Sequence, residues 1–215
     1  MIKVGHYIPC YRHPVPELLA QVANESRVLT AAGVDYHQSS DEIGHITIAR
    51  NRAMRAAMAA GCDYLVMQDS DVFCPSEDGA IMRMLQTASA QKATAVAAIC
   101  GLRQDPPRPS VEPAHMGKIY KAHRAGAGLL LIDLHRVRDW GLDGGWFVDT
   151  YSSNGMDKEC GQDIHFSRLI EKHGGDLWVD GRIPTAHSQR DSKSLFYPGA
   201  DATASGQERD RETAT

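Results

Sequence analysis

The sequence has no long apolar run, few cysteines and no excess of charge of one sign. Its 215 residues carry 23 Lys and Arg against 27 Asp and Glu, a formal net charge of −4 at pH 7. That balance argues against a surface that binds polyanions over a broad area. No stretch approaches the roughly 20 apolar residues that a membrane helix needs. Residues 1–8 lack the apolar length and the small-residue cleavage site of a signal peptide. These absences predict a cytoplasmic protein without a membrane span.

The cysteines exclude two further classes of protein. There are five, spread singly along the chain with no C-x-x-C pair: Cys10, Cys62, Cys74, Cys100 and Cys160. An odd count at wide spacing is typical of a reduced intracellular protein rather than of a disulfide framework or a structural zinc site. The composition, 42% hydrophobic and 23% charged, is that of a globular protein that can bury a core.

The spacing of the apolar residues, with Gly and Pro at the ends of the segments, predicts alternating strands and helices in the first hundred residues. The predicted strands cover 2–9, 34–38, 63–68 and 93–100, and the predicted helices cover 16–32, 47–60 and 78–91. We expect residues 39–42 to form a polar loop. This β-α-β-α-β-α-β order implies right-handed crossovers and a mostly parallel sheet.

The amino-acid composition changes after Cys100. Residues 101–124 hold four of the ten prolines and five Lys or Arg against two acids. This composition predicts a long loop of net positive charge, and such loops are commonly functional or disordered. Further strands are predicted at 126–134 and 177–180, with a helix at 163–173. Residues 200–215 have almost no apolar content, so we expect a disordered tail after one domain of residues 1–199.

Two acids flank Ser70 directly after the apolar strand predicted at 63–68. In an open α/β sheet, ligands bind just beyond the carboxyl ends of the strands. Asp69 and Asp71, one residue apart at such an end, can share a hard cation such as Mg²⁺ or Mn²⁺. A solvated turn or a helix cap is the alternative, but the apolar residues on both sides favour a site.

Four other residues are weaker candidates on their own. His187 follows the strand at 177–180, and an imidazole is an acceptable manganese ligand beside carboxylates. Asp163 opens a helix, where it is either a favourable charge at the N-terminus or a carboxylate general base. Arg50 could neutralise a phosphate, and Asn51 could bond to a nucleotide or to the strand that bears the acids. Surface solvation is the alternative for this last pair.

Trp146 is a candidate for a different reason. It follows Gly144-Gly145 in a predicted loop, where a flat apolar face suits stacking on a sugar. A place in the hydrophobic core is the alternative.

The order of these segments resembles the core of GT-A fold glycosyltransferases, in particular the family-2-like, D-x-D-containing enzymes that use nucleotide sugars. Residues 48–53 (Ile-Ala-Arg-Asn-Arg-Ala) and then 61–71 look like that fold's A-R-N helix, its next strand and its D-x-D motif. Residues 126–132 resemble its G-x-G-x-x-l-i strand, and 161–166 its acceptor-side E-D-x-x-F block. Residues 175–187 resemble its G-x-x-l-w-v-d strand and metal-binding histidine.

The resemblance implies a single α/β domain of the GT-A type, with a Rossmann-like, mostly parallel central sheet flanked by helices. It also implies a nucleotide-sugar donor, a Mn²⁺ or Mg²⁺ ion and transfer of the sugar to an acceptor hydroxyl. Asp71 and His187 would bind the metal, Asp69 would contact the ribose or the metal shell, and Asp163 would be the base of an inverting mechanism. Gln162 departs from the pattern, since many members have a second acid there, and this leaves the stereochemical outcome open.

Other activities fit parts of the sequence. A nucleotidyltransferase that makes nucleotide sugars would favour a Gly-rich loop with Arg or Lys after the first strand, but residues 9–14 hold no glycine. An aspartyl phosphatase usually has its D-x-D pair after the first strand, whereas 68 residues precede this pair. The intact set of Asp69, Asp71, Asp163 and His187 argues against a catalytically inactive nucleotide- or carbohydrate-binding module.

The acceptor stays open among glycan, lipid, protein and modified nucleic acid. The basic stretch at 101–124 permits a DNA acceptor, which the net charge does not favour. The phosphates of the donor explain that stretch equally well, and Arg103 and Lys118 are the cations that we expect to bind them.

Overall fold

Twelve strands and five helices occur in the part of the chain that the computed structural model describes, which comprises residues 1–10, 14–42, 45–101, 109–111, 114–142, 144–151, 158–183, 185–188 and 195–196. The strands are β1 (Lys3–Cys10), β2 (Asp35–Glu42), β3 (Tyr64–Gln68), β4 (Val72–Phe73), β5 (Ala95–Ala97), β6 (Ile119–Ala122), β7 (Leu129–Asp133), β8 (Thr150–Tyr151), β9 (Lys158–Cys160), β10 (Leu177–Asp180), β11 (Ala186–Ser188) and β12 (Leu195–Phe196). The helices are α1 (Pro16–Ala31), α2 (Ile46–Ala59), α3 (Ala80–Gln91), α4 (Leu134–Val137) and α5 (Gln162–Lys172).

Seven strands form the central sheet, in the order β2-β1-β3-β7-β5-β10-β6. Strands β1, β2, β3, β5 and β10 run in one direction, while β7 and the edge strand β6 run antiparallel to their neighbours. A three-stranded sheet, β12-β11-β4, and the pair β8-β9 lie outside it. The predicted mostly parallel α/β sheet is confirmed.

The antiparallel strand β7 decides where the site lies. Because β7 runs against β3 and β5, its first residue meets the carboxyl ends of both strands at one edge of the sheet. The Asp69 N–H donates to the Gly128 carbonyl at 2.9 Å, directly before β7. The segment 126–128 is thereby fixed against the turn that carries the two acids.

Helices cover both faces of the sheet. Side chains of α2, α4 and α5 pack with Leu130 and Ile132 of β7, while side chains of α1 and α3 pack around Leu129 and Leu131. A strand buried on both faces is apolar at every position, and burial of each Leu or Ile side chain stabilises the fold by about 1.5–3 kcal/mol. None of the helices in the described ranges is long and apolar enough to cross a membrane.

Two of the differences from the predicted boundaries have a clear physical reason. Residues 39–42 are not a loop, since β2 pairs with β1 as far as Glu42. They are polar because β2 is an edge strand and its last six residues are exposed. Helix α3 begins at Ala80 because Glu25 of α1 accepts the Ala80 N–H at 2.6 Å. This acceptor lies 55 residues away, so local sequence does not mark it.

A buried histidine makes stability depend on pH. His6 on β1 has no exposed surface, its Nδ1 shares a 2.6 Å hydrogen bond with the Tyr36 hydroxyl, and burial lowers its pKa from 6.5 to about 4. The unfolded chain therefore binds the proton more readily, so the contribution to stability is complete above pH 6.5 and is lost as the pH falls toward 4. We expect a loss of about 3 kcal/mol over this range.

Urea unfolding of the wild type and of His6→Gln at pH 6.5, 5.5 and 4.5 tests whether His6 causes this loss of stability. The free energy of unfolding of the wild type should fall more steeply with acid than that of the variant. Parallel curves for the two proteins would show that His6 is not responsible.

Candidate functional site

A cavity of about 450 Å³ opens at the edge of the sheet where β3 and β5 end and β7 begins. Five of the predicted site residues line it together: Arg50, Asp69, Asp71, Asp163 and His187. Backbone and small side chains supply much of the remaining wall, among them Gly101, Ser110, Gly126, Ala127 and Gly128.

The turn that carries the two acids is held by main-chain hydrogen bonds. The Val72 N–H donates to the Asp69 carbonyl at 3.0 Å and closes the turn between β3 and β4. The Ser188 N–H donates to the Asp71 carbonyl at 2.8 Å. These bonds involve no side chain, so the backbone of the turn is defined independently of its carboxylates.

Asp71 and His187 face one another across the small sheet. Antiparallel pairing of β4 with β11 places His187 opposite Val72, and the His187 Nε2 lies 3.2 Å from the Asp71 Oδ1. The His187 Nδ1 lies 2.7 Å from the Gly101 carbonyl oxygen, which can only accept, so Nδ1 carries the hydrogen. In the neutral ring, the Nε2 lone pair then faces a carboxylate oxygen. Such a pair of acceptors requires a proton or a metal ion.

Asp69 has a different partner. The Arg50 Nη2 donates to the Asp69 Oδ1 at 2.7 Å and to the Ala127 carbonyl at 3.0 Å. Arg50 is 2% exposed, and its guanidinium carbon lies 5.8 Å from the centre of the Phe147 ring. A cation so far removed from water needs a carboxylate partner, so Arg50 fixes one oxygen of Asp69.

Asp163 is the second residue of α5. Its Oδ1 accepts the Ile164 N–H at 2.9 Å, and its side chain faces the same cavity. The start of α5 is tied to α2 by Asp149, which accepts the Gln162 N–H at 3.0 Å and the Thr47 hydroxyl at 2.9 Å. No motif in the sequence marks Asp149, because its two partners come from distant segments.

The charge of this cavity is unusual for a phosphate site. Among the described lining residues, the carboxylates of Asp69, Asp71 and Asp163 face the single guanidinium of Arg50. With His187 neutral, the wall carries a net negative charge and repels a diphosphate. A divalent cation would reverse that sign at Asp71 and His187.

The donor atoms at this wall fit Mn²⁺ or Mg²⁺. One carboxylate and one imidazole, with Asp69 close by in the sequence, are acceptable ligands for Mn²⁺, and Mg²⁺ is commonly held by one or two carboxylates with phosphate and water oxygens. The described residues contain no group of three or more His, Cys, Asp and Glu side chains that could hold a metal ion. An ion here would therefore depend on a ligand for its remaining contacts.

Gly128 is closely packed at the wall of the cavity. A Cβ atom at this position would lie 3.0 Å from the Cys100 Sγ and 3.4 Å from the Val72 Cγ2. Cys100 itself is buried, and burial raises the pKa of its thiol to about 12. We therefore assign Cys100 a packing role rather than a nucleophilic one.

Three predicted substrate-binding residues do not line the cavity. The Asn51 side chain is buried and bonds to both backbone groups of Phe147, at 2.7 and 3.1 Å, so it is occupied in holding the 146–147 segment. Trp146 is 5% exposed and belongs to the hydrophobic core; its burial is at odds with the stacking on a sugar that its loop position suggested. Lys118 is exposed directly before β6, on the far side of β10 from β3. Arg103 lies outside the described residues.

The chain matches no sequence family and no curated protein. Its fold is similar to that of A197 from STIV, with a TM-score of 0.59 and 14% identity over 94% of this chain and 96% of that one. It is also similar to that of apo UDP-glucose pyrophosphorylase, with a TM-score of 0.52 and 9% identity over 83% of this chain and 90% of that one.

A Drosophila beta-1,4-galactosyltransferase 7 in complex with manganese and UDP-Gal gives a TM-score of 0.45 and 15% identity over 95% of this chain and 74% of that one. At such low identity, these comparisons speak to the fold alone. The chain has a Rossmann-like α/β fold in which helices flank a mostly parallel central sheet, and this fold is similar to that of UDP-glucose pyrophosphorylase.

Proposed function

We propose that this chain is a metal-dependent glycosyltransferase that moves a sugar from a nucleotide-diphosphate sugar to an acceptor hydroxyl. The observation that carries the proposal is the approach of Asp71 to His187 on the wall of a cavity that Asp163 also lines. This set would supply a cation site and a proton acceptor in one space, which is what sugar transfer from a diphosphate requires.

Asp71 and His187 would hold the ion, with Asp69 beside them. When bound, Mn²⁺ or Mg²⁺ stabilises the negative charge of the nucleoside diphosphate that leaves. The Gly101 carbonyl supports this role, because it fixes the hydrogen of His187 on Nδ1 and leaves Nε2 as the ligand atom.

Arg50 and Asp69 would contact the nucleotide part of the donor. Arg50 engages the Oδ1 of Asp69, so the second oxygen of this carboxylate is the one that would accept a ribose hydroxyl or contact the ion shell. Because Arg50 is held by Asp69 and Ala127, its charge is placed before the donor arrives, which lowers the cost of ordering on binding.

Asp163 would be the general base. Its carboxylate takes the proton of the acceptor hydroxyl while that oxygen forms a bond to the anomeric carbon. The bond from that carbon to the diphosphate oxygen breaks at the same time, and the configuration inverts. Asp149 would keep the base in place, since it binds the first N–H of α5 and the Thr47 hydroxyl of α2.

A thermal-shift screen tests the donor and the ion together. We expect one of UDP-glucose, UDP-galactose and GDP-mannose to raise the melting temperature in the presence of MnCl₂ and not in EDTA. A ligand at 100 times its dissociation constant adds about 2.7 kcal/mol, which corresponds to roughly 5–10 °C for a domain of this size. Equal shifts in MnCl₂ and in EDTA would contradict the metal assignment, and no shift with any nucleotide sugar would contradict the donor class.

The products formed from the nucleotide sugar distinguish a glycosyltransferase from a nucleotidyltransferase and from a binding module. A glycosyltransferase releases a nucleoside diphosphate from the sugar nucleotide that binds in the screen. A nucleotidyltransferase instead consumes that compound only with pyrophosphate and forms a nucleoside triphosphate. A binding module saturates with the nucleotide sugar and releases neither product.

A further inference from the structure

Gln162, a residue that lines the cavity, carries a side-chain oxygen that no other described residue binds. The residue is 8% exposed, lies at the first position of α5 and lines the same cavity as Asp163. Its Oε1 is buried and has no hydrogen-bond partner among the described residues. Its backbone N–H, in contrast, is bonded to Asp149.

A buried carbonyl oxygen without a partner is unfavourable, and such groups are rare in folded proteins. If position 162 served packing alone, an apolar side chain would fill it at lower cost. The last torsion of a Gln side chain is broad, so the carboxamide can turn either its oxygen or its nitrogen toward a ligand in the cavity. These features indicate that a bound molecule supplies the missing hydrogen-bond partner of the carboxamide.

The chemistry of the carboxamide indicates what that molecule offers. A carboxamide both accepts and donates hydrogen bonds, and so does a hydroxyl group. It is also uncharged, whereas a carboxylate here would add a fourth acid to a wall that already carries Asp69, Asp71 and Asp163. A like charge beside Asp163 would favour the protonated form of both groups.

We propose that Gln162 is a specificity-determining residue that binds a second hydroxyl of the acceptor, next to the hydroxyl that Asp163 deprotonates. The acceptor is therefore a polyol with neighbouring hydroxyls, such as a sugar ring, rather than an isolated alcohol. This inference rests on the proposed function, because it assumes that Asp163 faces the acceptor. It adds the class of acceptor and a residue that selects it.

The test compares two small acceptors in one reaction. The nucleotide sugar that gives the largest thermal shift is incubated with MnCl₂ and equal concentrations of glycerol, which has neighbouring hydroxyls, and 1-propanol, which has one. Mass spectrometry measures the ratio of the two glycosides. We expect the wild type to favour glycerol, and we expect Gln162→Leu to lower this ratio about tenfold, as one lost hydrogen bond would do. Gln86→Leu, on the exposed face of α3, is the matched control and should keep the wild-type ratio.

The same proteins give a second measurement that a packing role would not produce. Gln162→Leu should bind the nucleotide sugar as the wild type does and should melt at the same or a higher temperature, since it removes an unpaired buried oxygen. A lower melting temperature, an unchanged glycoside ratio or a wild type without preference for glycerol would each overturn the assignment of Gln162. Absence of any turnover of the nucleotide sugar by the wild type would contradict the proposed function itself, and the inference with it.

Discussion

Replacement of Asp71 by alanine should lower metal-dependent sugar transfer by at least about 10²–10³-fold, the usual cost of removing one preorganised charge partner from an active site. The carboxylate is the partner of the His187 Nε2 at 3.2 Å, and the two side chains are 17% and 15% exposed. Without it, an ion at this wall would keep one imidazole as its side-chain ligand, and affinity for the ion should fall with the rate. Steady-state kinetics at several MnCl₂ concentrations, with calorimetric titration of Mn²⁺, measure both effects.

The fold should survive this substitution. The turn from Asp69 to Val72 is closed by main-chain hydrogen bonds, and the Asp71 carbonyl keeps its bond from the Ser188 N–H in the variant. The melting temperature should therefore change little.

Asp78→Ala is the matched control for Asp71→Ala. The Asp78 side chain is 75% exposed and pairs with Arg83 on the surface, where an ion pair contributes at most about 1 kcal/mol. This variant should transfer sugar at the wild-type rate. Undiminished turnover of Asp71→Ala with MnCl₂ present would contradict the metal assignment.

The meeting of Asp71 and His187 shows how far the sequence alone can locate a site. The two residues are 116 positions apart, and they meet because two short strands, β4 and β11, pair outside the central sheet. Strands of two and three residues have too few positions for a periodic pattern. The likeness of the motif order to a known family placed both residues in one site, whereas the periodicity of the chain could not.

Trp146 and Asn51 show where local reasoning fails. A tryptophan after two glycines looks exposed, yet Asn51 binds both backbone groups of Phe147 and draws this segment into the core. The same pair of bonds explains why Asn51 does not line the cavity. The burial of Trp146 and the position of Asn51 therefore have the same cause. The two hydrogen bonds join Asn51 to Phe147, which lies 96 positions away in the sequence.

The directions of the strands were only partly predictable. Alternating apolar segments predict a mostly parallel sheet, and five of its seven strands do run in one direction. Strand β7 runs against them, although its apolar sequence is that of any strand buried on both faces. Its direction matters for the site, because it brings Gly126 and Gly128 to the acids rather than to the opposite edge of the sheet.

Replacement of Asp163 by asparagine should lower transfer by about 10²–10⁴-fold, the usual contribution of a general base, while donor binding stays as in the wild type. The amide oxygen of asparagine can still accept the Ile164 N–H that the Asp163 Oδ1 accepts at 2.9 Å, so the first turn of α5 should persist. What the variant loses is the ability to take a proton. Turnover numbers for transfer, together with calorimetric titration of the nucleotide sugar in MnCl₂, separate the two effects.

Asp133→Asn provides the control for Asp163→Asn because it makes the same change at another helix start. Asp133 accepts the backbone N–H groups of His135 and Arg136 at the beginning of α4, and it does not line the cavity. Its variant should transfer sugar normally, which would show that the loss in Asp163→Asn does not come from a weakened helix start. If Asp163→Asn fails to bind the nucleotide sugar, Asp163 belongs to the donor side of the cavity. An unchanged turnover number would exclude Asp163 as the base and leave Asp69 as the next carboxylate to test, since Arg50 occupies only one of its oxygens.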